Sequence, residues 1–551
     1  MNKVEINLKE AFIKAINVID ETVEVTVEQI VIEIPKDTKN GDYATNAAMR
    51  LAKVLKDSPI NIANKIKENF DMEYANVEAI DIAGPGFINI TMNKASIANT
   101  LKSIILQGSE YGQWPEISND LINVEYVSAN PTGDLHLGHA RQASLGDSIS
   151  RIYKKAGYNV VREYYINDAG NQINNLAKSV IVRYHELFDI EMPMPEDGYF
   201  GQDIKNVAEL IKNLKGDQFI NDDSEETFQY IKKTALTYEL DKIKRDLQEF
   251  RVEFDIWTSE QKLYDSGRVE KALELLESKN ATYEKDGALW LETTRLGDDK
   301  DRVLKKSDGS YTYLTPDIAN HIQKLDAGSD YMVDLWGADH HGYIKRMKAA
   351  IEFCTGQSDK FDVDIVQLVR LIEDGKEVKM SKRSGNAIGM IELSQEVGID
   401  AVRYFFAQRA GSSHFDFDLG LAKSKSNENP VFYVQYAHAR ICSILKASLE
   451  LNLAKEANLA LLDKEKEISI IKHLNEFPAT IADSAKTRAP HKIVNYVSKL
   501  ASLFHSYYNE YKVIDQEDLE TTNARIVLLE ATKITLANSL ELIGVSAPEK
   551  M

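Results

Sequence analysis

The sequence has little cysteine and no long apolar segment. Only Cys354 and Cys442 occur among 551 residues, far apart and without CxxC spacing, which argues against a disulfide framework and a cysteine zinc site. No run of about eighteen apolar residues is present, and the N-terminal MNKVEINLKEAFIKA lacks the apolar region of a signal peptide. We therefore expect no membrane span, no protein-held metal and a cytoplasmic location.

Positive charge is also in deficit. The formal net charge is -20, with 66 Lys and Arg against 86 Asp and Glu. This acidity argues against a general basic coat for nucleic acid, but the cations can still group on one face, so RNA binding stays open. With 43% apolar and 28% charged residues, the chain has the composition of a soluble protein and the length of roughly two to four domains.

A strand, a loop and a helix are predicted between residues 123 and 157. Residues 123–127 alternate as a short strand, and apolar residues from Leu145 to Ala156 recur at helical spacing and stop at Gly157. The loop between them carries Asn130 and the sequence HLGH at 136–139, and residues 160–166 supply the next strand of a βαβ unit. Such a helix start binds anions through free backbone N–H groups and the helix dipole.

The two histidines of HLGH have an ordinary interpretation as well. Taken alone, His136 and His139 are more often surface or capping residues than ligand-binding ones. Gly138 between them favours function, because it lets a flat ring or a phosphate approach the backbone. A second motif, KMSKRSGN at 379–386, packs three cations and two hydroxyls into a glycine-bearing segment. Together and in this order, HLGH and KMSKR resemble the two signatures of class I aminoacyl-tRNA synthetases.

The residues around HLGH narrow the resemblance to the arginyl-tRNA synthetases. Glu125, Ser128 and Asn130 precede HLGH, and Tyr313 and Asp317 lie in YLTPD at 313–317; these look like that family's arginine-recognition residues. The chemistry agrees, because a guanidinium is a planar fork of donors that needs carboxylates and hydroxyls around it. Which acceptor meets the guanidinium and which meets the α-amino group is left open by the sequence.

The resemblance implies an α/β fold with appended domains. We expect a class I Rossmann-like catalytic domain at 116–390 with a helical insertion at about 187–300. The sheet is expected to resume with 288–293, 313–317 and 331–343. An N-terminal α/β appended tRNA-binding domain should occupy 1–115, a stem 391–427 and an all-α anticodon-binding domain 428–551. Residues 254–260 are interpreted as packing rather than chemistry.

The implied activity is that of an arginine–tRNA ligase. The arginine carboxylate attacks the α-phosphorus of ATP, and arginine then passes from arginyl-adenylate to the 3′ end of tRNA(Arg). The expected substrates and cofactors are L-arginine, ATP and Mg²⁺, and we expect a monomer. Catalysis is assigned to His136, His139, Lys379 and Lys382, ATP binding additionally to Gly138, His340, Met380 and Ser381, and arginine binding to Glu125, Ser128, Asn130, Tyr313, Asp317 and His340.

The tRNA-binding residues are implied by the same resemblance. Those in the N-terminal domain are Phe87 and Asn89, and those in the anticodon-binding domain are Tyr433, Gln435, Tyr436, His438, Arg440, Tyr507 and Tyr508. Aromatic residues and arginine suit unstacked RNA bases. The ordinary alternatives are a core and a surface residue in the first pair, and an apolar helix stripe in the second set.

Other interpretations stay open at this stage. Adjacent Asp339, His340 and His341 invite zinc, although neighbouring side chains cannot easily converge on one ion. Another class I synthetase, such as the cysteine enzyme, would need a zinc-cysteine site that this chain lacks. A small adenylyltransferase would not need the long helical C-terminal region, and a non-catalytic tRNA-binding protein would not need intact nucleotide loops.

Overall fold

The N-terminal part folds around a small antiparallel sheet. The structure is a computed structural model that describes residues 3–27, 29–33, 35, 40–115, 119–378 and 388–551. The first elements are α1 (Lys3–Ile19), β1 (Tyr43–Thr45), α2 (Ala47–Leu55), α3 (Pro59–Asn69), β2 (Val77–Ala83), β3 (Phe87–Met92) and α4 (Lys94–Gln107). The strand order is β1-β3-β2. Ser58 caps α3 by accepting from the Asn61 N–H at 3.3 Å, with Pro59 in the first turn.

A five-stranded parallel sheet forms the centre of the chain. Its strands and neighbouring helices are β4 (Leu121–Glu125), α5 (Leu137–Lys155), β5 (Asn159–Ile166), α6 (Asn171–Glu186), β6 (Ile256–Ser259), α9 (Glu260–Asp265), α10 (Arg268–Ser278), α11 (Leu314–Asp326), β10 (Ser329–Gly337), α12 (Ile344–Thr355) and β11 (Phe361–Val366). The order is β11-β10-β4-β5-β6, and every pairing is parallel. The chain order reverses between β4 and β10, and open sheets of this kind bind ligands outside the carboxyl ends at that point.

The predicted insertion is shorter and less helical than expected. Helices α7 (Gln202–Lys215) and α8 (Glu225–Glu249) pack against α6, but β6 already belongs to the central sheet. The predicted resumption of the sheet at 288–293 is wrong, because β7 (Thr282–Lys285), β8 (Ala288–Leu291) and β9 (Arg302–Lys305) form a separate antiparallel sheet. Residues 313–317 begin helix α11 rather than a strand.

The remaining chain forms a stem and a helical bundle. The stem contains β12 (Val369–Glu373), β13 (Lys376–Glu377), α13 (Met390–Val397), α14 (Ile399–Ala407), β14 (Phe415–Asp418) and α15 (Leu419–Lys423). The bundle contains α16 (Pro430–Ser448), α17 (Glu465–Asn475), α18 (Phe477–Thr487), α19 (His491–Glu510) and α20 (Leu519–Leu542). Within the described ranges, no helix is long and apolar enough to cross a membrane.

One apolar core joins the sheet, the stem and the C-terminal bundle. It includes Val124 of β4, Phe406 of the stem and Leu528 of α20, and it also takes in Leu101 and Ile104 of α4. The N-terminal part has its own core, which runs in sequence from Leu8 to Met92. Helix α4 was predicted within the N-terminal domain, but its apolar face packs against the C-terminal bundle instead.

Helix α5 lies unusually close to strand β4 and the residues that follow it. A Cβ atom added at Gly146 would lie 2.2 Å from Cγ of Tyr126, a fully buried side chain. Real Cβ atoms do not approach that closely, so a side chain at position 146 would push the helix away from the sheet. The close packing therefore sets where the start of α5, with HLGH, lies relative to the strand ends.

We expect Gly146→Ala to destabilise the protein although alanine favours helices. Overpacking should cost about 1–3 kcal/mol of unfolding free energy, more than the helix propensity gained. The matched control is Gly420→Ala in α15, where the added Cβ would make only an ordinary 3.4 Å contact. Thermal unfolding of the two variants checks this, and an equal or higher melting temperature for Gly146→Ala would contradict the packing argument.

Candidate active site

Two successive residues with positive φ follow strand β4 at the point where the strand order reverses. Val127 has φ 69° and Ser128 has φ 40°; a β-branched residue there is a strained exception, at about 1–3 kcal/mol. The strain is held by side-chain bonds. The Ser128 hydroxyl donates to Oε1 of Glu125 at 3.1 Å and accepts from the Tyr165 N–H at 3.0 Å. The turn therefore places the Ser128 side chain beside Glu125 at the end of β4 and beside Tyr165 of β5.

The HLGH turn begins α5 with a reciprocal cap made by its two histidines. Nδ1 of His136 accepts from the Gly138 N–H at 3.0 Å, and Nδ1 of His139 accepts from the His136 N–H at 3.3 Å. The two rings stack with centroids 3.6 Å apart. A Cβ at Gly138 would lie 2.9 Å from the His136 ring, so this position requires glycine. The capping interpretation of the histidines is thus correct, and it leaves their other ring nitrogens unused.

The protonation of these histidines follows from the cap. Burial and then the neighbouring His136 lower the pKa of His139 to about 3. Burial also lowers the pKa of His136, against the opposing charge of Asp339. A neutral ring whose Nδ1 accepts a hydrogen bond must carry its proton on Nε2. Both histidines therefore present an Nε2–H donor, and neither Nε2 is bonded to another residue of the described chain.

The KMSKR motif lies outside the described residues, and with it Lys379, Met380, Ser381 and Lys382. Its C-terminal flank is described. Gly389, six positions after Arg383, pairs with His136 in an antiparallel bridge, and the Met390 N–H donates to the Leu135 carbonyl at 2.7 Å. The chain that follows the second motif therefore returns directly to the HLGH turn.

Three buried carboxylates lie in register across the sheet at its carboxyl edge. Asp334 of β10, Glu125 of β4 and Glu163 of β5 are direct neighbours on adjacent strands. Helix α11 supplies the cations: Nζ of Lys324 donates to Oε2 of Glu125 at 2.6 Å and to Oδ1 of Asp334 at 3.2 Å. Nε2 of His321 meets Oδ2 of Asp334 at 3.0 Å. We call this group of five residues the strand-end charge network.

Burial and charge act against each other in this network. Burial raises the pKa of Glu125, Lys324 opposes the rise, and Asp334 and Glu163 add to it. Burial also works against the charges of Lys324 and Asp334, but their mutual attraction raises the pKa of Lys324 and lowers that of Asp334. Buried charges are tolerated only when paired in this way.

A second acidic group lies nearby without a cation of its own. Asp317 of α11 accepts from the Tyr343 hydroxyl at 2.6 Å, and Glu260 at the start of α9 is buried. Burial and then Asp317 raise the pKa of Glu260 to about 7, and burial raises the pKa of Asp317. The Tyr165 hydroxyl beside Glu260 is buried with no hydrogen bond of good geometry. No Lys or Arg of the described chain pairs with either carboxylate.

Glu260 was not among the predicted site residues. Residues 254–260 were interpreted as packing, and within them Trp257 does pack, stacked on Tyr164 with ring centroids 4.5 Å apart. The missing signal was topological: β6 is a parallel strand, and Glu260 follows its carboxyl end, where ligand groups are expected. Recognition of β6 as a sheet strand would have identified Glu260.

Comparisons with known proteins agree along the whole chain. Family models match for the arginyl tRNA synthetase N terminal domain at residues 4–92, the class I tRNA synthetase (R) catalytic domain at 100–406, and the DALR anticodon binding domain at 434–551. Arginine–tRNA ligase of Bacillus subtilis is 53% identical over 527 residues, 95% of each chain, and that of Bacillus licheniformis is 51% identical over 99% of this chain and 98% of the other. The chain belongs to the arginyl-tRNA synthetase family.

Solved structures support the fold of this arginyl-tRNA synthetase. A structure of the arginyl-tRNA synthetase from Campylobacter jejuni covers 84% of this chain and 100% of its own, with TM-score 0.77 and 33% identity. Arginyl-tRNA synthetase of Thermus thermophilus aligns over 99% of both chains with TM-score 0.76. Because the identity is only 21%, this similarity is evidence for the fold alone. The predicted class I fold and the arginine–tRNA ligase activity, with ATP as the activating substrate, are confirmed.

The remaining predicted pocket residues, Asn130, Tyr313 and His340, are exposed. Tyr313, one helical turn before Asp317, is 73% exposed. His340 is exposed and lies 3.3 Å from Asp339, and Nδ2 of Asn130 donates to Gln172 at 2.7 Å. Among the described residues, no group of three His, Cys, Asp or Glu side chains could hold a metal ion.

The two predicted tRNA-binding residues of the N-terminal part share one face of β3. Phe87 is exposed and Asn89 is half-buried, whereas Ile88 and Ile90 between and beyond them are fully buried. The ordinary alternative of one core and one surface residue is therefore wrong, since residues two apart on a strand face the same side.

The predicted residues of α16 and α19 in the synthetase divide into two groups. The Arg440 guanidinium lies between two rings, 4.5 Å from the centroid of Tyr436 and 4.7 Å from that of Tyr508. Gln435 and His438 are buried and bind the C-terminal segment, through the Ser546 and Pro548 carbonyls at 2.9 Å. Tyr507 is fully buried, and the Tyr433 ring packs on His505 with centroids 4.4 Å apart. Tyr433 is half-buried, as Tyr436 and Arg440 are, so the accessible aromatic and cationic surface comprises the first group and part of Tyr433.

We expect Glu260→Gln to change how stability depends on pH. The pKa of Glu260 is raised from 4.5 to about 7, so between these values the folded chain keeps a proton that the unfolded chain loses. The stability that the protonated side chain gives is therefore fully present below about pH 4.5 and is lost as pH rises through 7. Glutamine cannot titrate, so the melting temperature of the variant relative to wild type should rise between pH 5.5 and 8. The exposed Glu277→Gln is the control, and a pH-independent difference for Glu260→Gln would contradict the assignment.

Proposed function

We propose that the arginine side chain binds between Asp317 and Glu260. The observation that carries this is a pair of desolvated carboxylates to which no Lys or Arg of the described chain is bonded, next to the buried hydroxyl of Tyr165. A guanidinium supplies one positive charge and a fork of five donors, which suits two carboxylates and a hydroxyl. Lysine supplies a point charge and would leave part of the buried acceptor set unpaired, a large penalty that favours arginine without an editing site.

In this proposal the α-amino group of arginine binds at Glu125. Oε2 of Glu125 is taken by Lys324, whereas Oε1 bonds only the Ser128 hydroxyl among the residues that the structure describes, so a substrate ammonium can bind there. Glu125 ends the strand that leads to HLGH, which suits the end of arginine that reacts with ATP. Asn130 would border this end, and Tyr313 and His340 would cover the mouth of the pocket.

ATP is proposed to bind at the start of α5. The Nε2–H groups of His136 and His139 would donate to phosphate or ribose oxygens, with the backbone at Gly138 close to the nucleotide. His340 would contribute from the turn that follows β10, the strand next to β4. Lys379 and Lys382, with Met380 and Ser381, would cover the β and γ phosphates. The pairing of Gly389 with His136 supports this arrangement. Mg²⁺ would share the phosphate charge.

Catalysis in this arrangement consists of alignment and charge stabilisation. The arginine carboxylate oxygen forms a bond to the α-phosphorus while the bond to pyrophosphate breaks, and the neutral histidine donors stabilise charge on the phosphate oxygens. A terminal ribose hydroxyl of tRNA(Arg) then attacks the arginyl carbonyl and releases AMP. The first step requires no base, since its nucleophile is already a carboxylate. In the second step the ribose hydroxyl loses its proton as the ester bond forms, and the phosphate of the departing AMP is a suitable acceptor for it.

For tRNA, we propose that direct contacts come from the accessible residues. These are Phe87 and Asn89 of β3 and the stacked set Tyr436, Arg440 and Tyr508, which can stack with unpaired bases. Gln435, His438 and Tyr507 are buried and would support this surface through packing rather than contact RNA, a revision of the predicted set, whereas half-buried Tyr433 stays within it.

We also propose limits for the domains and the working state. The N-terminal domain would end near Met92 rather than at 115, because its separate core ends there. The catalytic domain with its insertion would follow, then the stem at 391–427 and the anticodon-binding domain at 428–551. We propose a monomer acting in the cytoplasm, where its tRNA and ATP are available.

Asp317→Asn should selectively weaken arginine use. The amide keeps the volume and can still accept from Tyr343, but it loses the charge that pairs with the guanidinium. Loss of one partner of a buried ion pair costs about 3–5 kcal/mol, so KM for arginine should rise at least about 100-fold, with KM for ATP changed less than about threefold. Asp326→Asn at the exposed end of the same helix is the control. An unchanged arginine KM and rate in ATP–pyrophosphate exchange with tRNA present would remove Asp317 from the pocket.

His136→Asn should separate capping from catalysis. The Asn carbonyl oxygen can replace Nδ1 as acceptor from the Gly138 N–H, but no donor replaces Nε2–H. We expect an unchanged melting temperature and a fall of about 10²–10³ in the rate of adenylate formation. His136→Ala, which loses the cap as well, should also lower the melting temperature. Full activity in His136→Asn would show that the ring serves the cap alone.

A further inference from the structure

Lys324 is a buried cation that lies too deep to touch a substrate. Its side chain is 1% exposed, on the face of α11 that covers the strand ends. It donates to Glu125 and Asp334 on two adjacent strands, and Asn320 of the same helix adds a 3.2 Å bond to Oε2 of Glu125. Lys324 thus fixes the position and direction of Glu125 from below the pocket.

His321 extends the same support to Asp317. Its Nδ1 lies 2.8 Å from the Asp317 carbonyl oxygen and its Nε2 lies 3.0 Å from Oδ2 of Asp334. Both neighbours are acceptors, so both ring nitrogens must donate, and the ring is an imidazolium. Burial works against that charge, but Asp334 raises the pKa of His321. Asp334 therefore joins the two cations that hold the two ends of the proposed pocket.

We infer that Lys324 is a positioning residue for arginine. It keeps Glu125 ionised and directed at the substrate ammonium, and through Asp334 and His321 it holds the main chain at Asp317 in place. This inference rests on the proposed role of Glu125 in binding arginine. It assigns a function in the arginine-dependent step to a residue that contacts neither arginine nor ATP.

The charges that surround Glu125 give the inference a pH signature. Lys324 and His321 face it from α11, Asp334 from β10, and Glu163 and Tyr165 from β5. Lys324 and His321 oppose the effect of burial, and the carboxylates add to it. Without Lys324 the balance shifts towards the protonated acid, so Glu125 would ionise only at higher pH.

The experiment is Lys324→Met in the full chain, measured by ATP–pyrophosphate exchange with tRNA present over a pH series. Methionine keeps the volume of the side chain and removes the charge. We expect KM for arginine at pH 7 to rise at least about tenfold, KM for ATP to change less than about twofold, and the acidic limb of kcat/KM for arginine to move up by about one pH unit or more. Equal changes for both substrates, or an unmoved pH profile, would overturn the inference.

Two further variants separate the inference from the proposed pocket. If Lys324 acts through Glu125, the double variant with Glu125→Gln should lose no more arginine use than Glu125→Gln alone, whereas a merely structural role gives additive losses. A Glu125→Gln chain with normal KM for arginine would overturn the pocket itself. A raised KM in Glu125→Gln with no pH shift in Lys324→Met would overturn only the role of Lys324.

His321→Gln keeps the inference testable if Lys324→Met does not fold. The glutamine amide can still donate to Asp334 but carries no charge, and Lys324 stays in place. A smaller shift of the arginine pH profile in the same direction supports the inference, provided that the melting temperature is close to that of wild type. A folded His321→Gln chain with an unmoved profile would overturn it.

Discussion

Three carboxylates buried side by side are the constraint on which the centre of this synthetase depends. The parallel register places Asp334, Glu125 and Glu163 next to each other on three adjacent strands, away from water. Their repulsion and desolvation would be prohibitive without Lys324 and His321 from α11. The helix is therefore part of the sheet's stability as well as of the pocket. The strained turn at Val127 and Ser128 persists because the Ser128 hydroxyl bonds Glu125 of this network and the Tyr165 N–H.

Helix α5 connects the end of strand β4 to the stem and the C-terminal bundle through buried arginine contacts. At its start, Arg141 donates to the carbonyls of Gln367, Ala410 and Ser413 at 2.9–3.0 Å, which ties HLGH to the chain on either side of the second motif. Further along, buried Asp147 pairs with Arg403 of the stem, whose guanidinium also bonds the Ile543 carbonyl after α20 at 3.0 Å. The catalytic turn and the C-terminal bundle thus share one rigid helix.

Local signals in the sequence predicted the parts that local chemistry determines. The class I fold was implied by the resemblance that HLGH and KMSKR carry. The strand and helix around HLGH were predicted from periodicity, which acts within a few positions, although the strand begins and ends two residues earlier than expected. The insertion, β6 and the start of α11 were misjudged, since short strands are distinguished only by their partners in the sheet. Glu260 was missed for that reason. The buried side of α16 could not be foreseen either, because Gln435 and His438 are covered by a segment about 110 residues later.

The same charges that support the fold also link arginine binding to protons in the proposed pocket. Burial raises the pKa values of Asp317 and Glu260, so without substrate these groups hold protons more readily than ordinary carboxylates do. A guanidinium binds the ionised forms and displaces those protons. Protons therefore neutralise these buried acids in the free enzyme, and arginine neutralises them in the bound enzyme. Selectivity and stability consequently depend on the same groups, because a cation that fails to replace both protons leaves a buried charge unpaired.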